Sequence, residues 1–174
     1  ELRRVAFEPP PEFESCEFFP LGIGKYKGFL DGERVDRLLV VSPYVKASAL
    51  DQATKEVKGK DVHIVSRLEE LQAIDPAALE GYGRISVFSD EQAKDEASAE
   101  ENKAEKVDAL DAEGEPELSG LHAKLYIADQ GWDSTIWVGS ANATDAAFRR
   151  NVEFMVALRG KKKLAGIERF LAVD

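Results

Sequence analysis

One cysteine, Cys16, stands among 174 residues, so no internal disulfide can form and a disulfide-stapled secreted domain is excluded. No apolar run approaches the ~20 residues of a membrane helix, and no basic leader precedes an apolar stretch, so neither a spanning segment nor a signal peptide is read from the chain. The chain opens Glu1-Leu2-Arg3 without a methionine, which we read as an excised fragment or a processed product. No 20–50-residue repeat is visible. Positive charge is also short: 23 Lys and Arg against 33 Asp and Glu give a formal net charge of −10, which argues against a general nucleic-acid coat protein. The deficit is local. Between Asp90 and Glu117 stand 12 acidic and 3 basic residues, a net of −9 that leaves the rest of the chain near −1. What is present is ordinary globular composition, 44% hydrophobic and 32% charged, on a chain long enough to bury about 70% of its unfolded surface.

Arg4 to Phe7 and Phe13 to Phe19 read as short strands around Pro9-Pro10-Pro11, which no strand interior tolerates. Pro20 and the glycines at 22, 24 and 28 then mark a loop. We take 1–34 as N-terminal strands and linker, and 35–174 as the main domain. Val35 to Val41 ends in a continuous apolar run, as a strand covered on both faces would. A helix over Ser48 to Val57, a strand Val62 to Val65, a helical patch Leu68 to Ile74, a further turn at Pro76 and a strand Arg84 to Phe88 follow. That alternation predicts an α/β domain with a mixed, mostly parallel sheet and helices on both faces. The segment 90–117 reads as an acidic insertion, either an exposed helix around Glu91 to Leu110 or a flexible stretch. Beyond it come strands over Leu121 to Ala128, Ser134 to Val138 and Val152 to Leu158. Helices are expected over Thr144 to Arg149 and Lys163 to Val173.

The chemistry concentrates after Gly120. On a strand, His122, Lys124 and Tyr126 share one face while Leu121, Ala123, Leu125 and Ile127 take the other. The imidazole and the ammonium would stand about 6–7 Å apart, a span suited to gripping one phosphate group. Gly139-Ser140-Ala141-Asn142 adds a small-residue turn with a hydroxyl and an amide, and Glu153 lies on the strand face opposite Val152, Phe154 and Val156. The plainer alternatives are a satisfied strand histidine, a solvated lysine, a turn capping itself with its own side chains and a surface glutamate.

Taken together, His122-x-Lys124-x-x-x-x-Asp129, Gly139-Ser140-x-Asn142 and Asn151-x-Glu153 resemble the signature of the phospholipase D superfamily. The resemblance is strongest over Leu118 to Leu158. Val35 to Asp90, with Ser42-Pro43-Tyr44 after its first strand and Arg67, Glu69 and Glu70 after its second, is similar to the part that precedes the motif in that family. Nine residues separate Asp129 from Gly139, more than the family's usual interval, which we read as a longer hairpin around Gly131. The resemblance implies metal-independent phosphodiester hydrolysis through a phosphohistidine. His122 would attack phosphorus or protonate the leaving oxygen, and Lys124 would neutralise charge on the nonbridging oxygens. Ser140 and Asn142 would bind the phosphate, Glu153 would fix the histidine tautomer, and Asp129 would tie the strand end structurally.

The family mechanism needs two histidines on opposite sides of phosphorus, and this chain holds one motif. His63 lacks the following lysine and reads as a tucked strand histidine. The chain is therefore expected to pair with a second phospholipase D-like lobe or with its own copy. In a two-lobed protein His122 is expected to act as the acid. No metal or cofactor is expected, since neither histidine, Cys16 nor the acidic tract shows ligand spacing, and activity should survive a strong chelator. Arg149, Arg150, Arg159, Lys161, Lys162 and Lys163 form a basic cluster suited to DNA or RNA, so a nuclease is expected first. A phospholipid or small-molecule phosphodiesterase or transferase, and an inactive lobe serving assembly or nucleic-acid binding, stay open. Integral membrane association is not expected, and a cytoplasmic location is.

Overall fold

Four apolar residues in succession, Leu38 to Val41, need cover on two sides, and the fold supplies it. In the computed structural model, which describes residues 7–23, 35–55, 57–88 and 122–172, Leu38 and Val40 enter one hydrophobic core and Leu39 and Val41 another. The period of two along a strand makes that division. Between the cores lies one seven-stranded sheet: β1 (Ser15–Leu21), β2 (Arg37–Val41), β3 (Val62–Ser66), β4 (Arg84–Val87), β5 (Leu125–Gln130), β6 (Asp133–Gly139) and β7 (Glu153–Lys161), in the order β1-β7-β6-β5-β2-β3-β4.

The helices are α1 (Ala47–Thr54), α2 (Leu68–Gln72), α3 (Pro76–Leu79), α4 (Asp145–Arg149), α5 (Lys162–Ala165) and α6 (Ile167–Leu171). The larger core takes Leu50 and Ala53 of α1, Leu71 of α2 and Ala147 of α4 against the inward residues of β2, β3, β5, β6 and β7. Ile167 and Leu171 of α6 close the smaller core over Leu39, Val41 and Ile127. Helices thus flank both faces.

The sheet is mixed but mostly antiparallel, against the expectation of a mostly parallel one. Only β2–β3 and β3–β4 run parallel, and the other four pairings are antiparallel. The helix-linked strands of the first half do produce parallel neighbours, because a crossover returns the chain to the same edge. The second half has no such crossovers. Gly131, at φ +59°, and Trp132 turn β5 straight into β6, with Asp129 opposite Ser134. The turn itself takes two residues, and most of the long Asp129–Gly139 interval is β6.

Several element boundaries also move. Pro20, expected to open a loop, lies inside β1 opposite Phe154. β1 is an edge strand, where a residue without an N–H costs no ladder bond on the open side. The closing helix is split, because Gly166 adopts φ −82° and ψ 170° between α5 and α6. The strand expected over Leu121 to Ala128 begins at Leu125, and residues 122–124 form an extended lead-in. Neither face of β5 is a polar face: Tyr126 is fully buried in the larger core. The acidic segment 90–117, most of the strand at Arg4 to Phe7 and the glycines at 24 and 28 lie outside the described residues.

Candidate active site

Strand direction decides which residues meet. β2, β3, β4 and β6 end at the same sheet edge where β5 and β7 begin, as the pairings Val41↔Leu125, Leu125↔Val138 and Gly139↔Met155 show. That edge collects Ser42 to Tyr44, Arg67, His122, Lys124, Ser140, Asn142 and Glu153 from five separate stretches of chain.

The imidazole of His122 is exposed, whereas Lys124 is only 9% exposed. Their side chains meet with Nζ 3.2 Å from His122 Nε2, and the same ammonium donates to the His122 carbonyl oxygen at 2.9 Å. An ammonium can only donate, so Nε2 accepts and the ring proton resides on Nδ1. Burial holds the Lys124 pKa below its ordinary value; the positive charge of Arg67 adds to this and Glu153 opposes it.

The Ser140 hydroxyl donates to Glu153 Oε2 and accepts from the Phe154 backbone N–H at 3.0 Å. Asn151 Nδ2 holds the other oxygen, Glu153 Oε1, at 3.2 Å. Ser140 and Glu153 are therefore brought together. Among the described residues no hydrogen bond joins Glu153 to His122. Gly139 makes the close approach of β6 to β7 possible: a Cβ there would stand 2.1 Å from the Phe154 carbonyl oxygen. Asn142 presents a buried amide oxygen with no hydrogen-bond partner among the described residues, beside a cavity of about 360 Å³.

Two supports for this edge have no motif to announce them. Ser42 is fully buried at the end of β2. Its hydroxyl donates to the Tyr44 carbonyl at 2.7 Å and accepts from the Ala143 N–H at 3.0 Å, and its own carbonyl accepts from Ser66. Tyr126 adds a bond from its hydroxyl to the Ala141 carbonyl at 3.0 Å. The 140–143 turn is thus anchored from below by a serine and a tyrosine. Arg67 lies over the Tyr44 ring, 5.3 Å from its centroid. The short polar–Pro–aromatic run at 42–44 was the available signal for Ser42 and the charge after β3 for Arg67, whereas Tyr126 had only its alternation with His122 and Lys124.

Other candidates lie elsewhere. Asp129 sits at the opposite end of β5, about 16 Å along the chain from Lys124 at ~3.3 Å per residue. Fully buried, it accepts from the Ile167 N–H at 3.3 Å and stands 3.9 Å from Lys162 Nζ. His63 shares that far edge and meets the Ser86 hydroxyl at 2.8 Å. The expected basic rim is dispersed. Lys161 ends β7, about 26 Å along the strand from Glu153, and pairs with Asp133 at 2.7 Å and Glu14 at 3.2 Å. Arg149 is held by Gln52. Among the described residues no group of three His, Cys, Asp or Glu could hold a metal ion, and no helix is long and apolar enough to cross a membrane.

Residues 36–172 match the family model described as cardiolipin synthase, PLD-like domain. The chain belongs to the phospholipase D-like family. None of the curated proteins compared matches this phospholipase D-like chain. Among solved structures it is similar to NucT from Helicobacter pylori at 16% identity, over 83% of this chain and 84% of that one, with a TM-score of 0.45. It is also similar to the phospholipase D family member Nuc from Salmonella typhimurium, at 21% identity over 90% and 89%, TM-score 0.45. The yeast tyrosyl-DNA phosphodiesterase gives 13% identity over 82% of this chain but 31% of that one, TM-score 0.47.

Proposed function

We propose that this phospholipase D-like domain cleaves phosphodiesters of nucleic acid without a metal, through a phosphohistidine, and that it does so only with a second motif from another lobe or subunit. The observation that carries the reading is the His122–Lys124 contact. It sets an exposed imidazole, whose Nε2 accepts from the Lys124 ammonium, beside that mostly buried positive charge. A phosphate entering there would meet nucleophile and counter-charge together.

In the first step a histidine Nε2 bonds to phosphorus while the bond to the leaving oxygen breaks, and the opposing imidazole gives that oxygen its proton. In the second, water attacks phosphorus, the N–P bond breaks and the water proton returns to the opposing imidazole. In-line geometry separates the two roles, so one imidazole cannot fill both. His122 fills one of them, and Ser140 and Asn142 hold the phosphate. The Glu153 carboxylate, positioned by Ser140 and Asn151, is available to take the Nδ1 proton side of the ring.

The surface beside the site supports a second half. Val138, Val152 and Phe154 are 44%, 69% and 50% exposed next to Ser140 and Glu153. The Phe154 ring stacks on Phe18 at 5.7 Å, and Phe18 meets Phe7, itself 61% exposed, at 4.8 Å. An apolar sheet face continuous with an incomplete site suits the other lobe.

Hydrolysis of bis(p-nitrophenyl) phosphate, followed with sedimentation and with a strong chelator present, tests the proposal. Turnover by a dimer that persists with chelator and falls at least ~100-fold in His122→Asn is expected. Turnover by a monomer, or loss restored only by a divalent metal, refutes it.

A further inference from the structure

Apart from Asn142, the cavity beside it is walled by residues outside the motif, and its walls favour one kind of ligand. It holds about 360 Å³ and is lined by Tyr44, Lys46, Glu70, Asn142, Asp145 and Arg150 among others. Tyr44 is 38% exposed. Arg67 lies over its ring but does not line the cavity, so the guanidinium leaves free the ring surface turned toward it. A cation behind an aromatic ring fixes the ring and leaves its outer surface as a platform for a flat, electron-poor partner.

The four charges of the lining balance, Lys46 and Arg150 against Glu70 and Asp145, but they are not equally engaged. Glu70 is occupied by Lys46 Nζ and by the Val45 N–H, both at 3.4 Å. Asp145 accepts from the Ser48 hydroxyl. Arg150 has no carboxylate partner among the described residues. An aromatic ring and a guanidinium outside any ion pair among the described residues are recognition elements for a nucleobase and its neighbouring phosphate.

We infer that this cavity is a nucleotide subsite: an unpaired nucleobase stacks on Tyr44 backed by Arg67, while Arg150 binds the adjoining phosphate and Asn142 links the subsite to the phosphate under attack. The inference rests on the phosphodiesterase reading above, and it narrows the substrate to nucleic acid with a splayed, unpaired base next to the scissile bond. A base held in a duplex cannot reach the ring.

The test is fluorescence anisotropy of the full chain with a labelled ten-nucleotide oligothymidylate, against a duplex of equal length. Tighter binding of the single strand is expected. Tyr44→Ala should weaken that binding by roughly 10- to 100-fold, whereas Tyr44→Phe and Tyr44→Trp, which keep a ring, should stay within about 3-fold. Arg150→Ala should lower the slope of log affinity against log salt by about 0.7. Circular dichroism confirms that each variant is folded. Equal binding of duplex and single strand, no measurable binding of either, or a Tyr44→Ala affinity within 2-fold of the parent overturns the subsite. Turnover of bis(p-nitrophenyl) phosphate by the unaltered chain is scored separately. Its absence from a chain that sediments as a dimer, alongside Tyr44-dependent binding, defeats the enzymatic reading and leaves the subsite standing, and its presence alongside Tyr44-independent binding does the reverse.

Discussion

Replacing Ser42 with alanine removes one oxygen from a site where water cannot substitute. Ser42 and Ala143 are both fully buried, and the hydroxyl accepts from the Ala143 N–H at 3.0 Å. An orphaned buried N–H costs about 1–3 kcal/mol. The second bond, to the Tyr44 carbonyl at 2.7 Å, lies where Tyr44 is partly exposed, so water can repair it and its net loss is about 0.5–1.5 kcal/mol. Together the change is expected to cost about 2–4 kcal/mol. With a urea slope near ~2 kcal/mol/M for a domain of this size, the unfolding midpoint falls by about 1–2 M. Ser66→Ala is the control. It removes only the bond from the Ser66 hydroxyl to the Ser42 carbonyl at 2.7 Å, and its loss should be near 1 kcal/mol, with an upper limit of about 3 kcal/mol if the carbonyl stays dry. Because Ala143 adjoins Asn142, Ser42→Ala should also lower turnover per folded molecule, and Ser66→Ala should do so less. A midpoint shift below about 0.3 M for Ser42→Ala would show that the 140–143 turn is not anchored through this hydroxyl.

Gly139→Ala places a methyl 2.1 Å from the Phe154 carbonyl oxygen and 2.8 Å from Met155 Sδ; a loss of at least about 3 kcal/mol, or no cooperative transition, is expected in the same urea titration. In the proposed reaction Lys124 must be charged to stabilise phosphate, and its pKa is already lowered by burial and by Arg67, so the alkaline fall in activity should begin below the usual lysine range. Arg67→Gln removes a lowering influence and should move that limb to higher pH, while Glu153→Gln removes the raising one and should move it lower; an unmoved limb in both rules out Lys124 as its source. Burial, with Arg84 and Arg37, holds the His63 pKa below 6.5. The unfolded chain therefore binds the proton more readily, and stability should drop as pH falls below about 6.5, a slope that His63→Gln should flatten in urea titrations at several pH values.

The residues proposed for the site were legible in order along the chain because the pattern depends on residue type at fixed spacing: His122 and Lys124 two apart, Ser140 and Asn142 two apart, Glu153 after them. Buried strands were legible too, since Leu38 to Val41 must be covered on both faces whatever surrounds them. Local pattern carries no information about strand neighbours, however. The first three core strands, joined by helices, suggested parallel pairing throughout, and only the packing of β5, β6, β7 and β1 shows four antiparallel pairings. The same blindness placed Lys161 and Lys162 near the site, because seven residues look close in sequence and extend far along a strand.

By itself the sequence determined the reactive groups and the apolar periodicity, both of which are properties of consecutive residues. Tertiary structure alone decided which sheet edge those groups share, that Ser42 holds the turn of Asn142 from 101 residues away, and that Arg67 lies over the Tyr44 ring with its charge felt at Lys124. These are consequences of strand direction and of burial, which arise only when distant segments exclude water from one another.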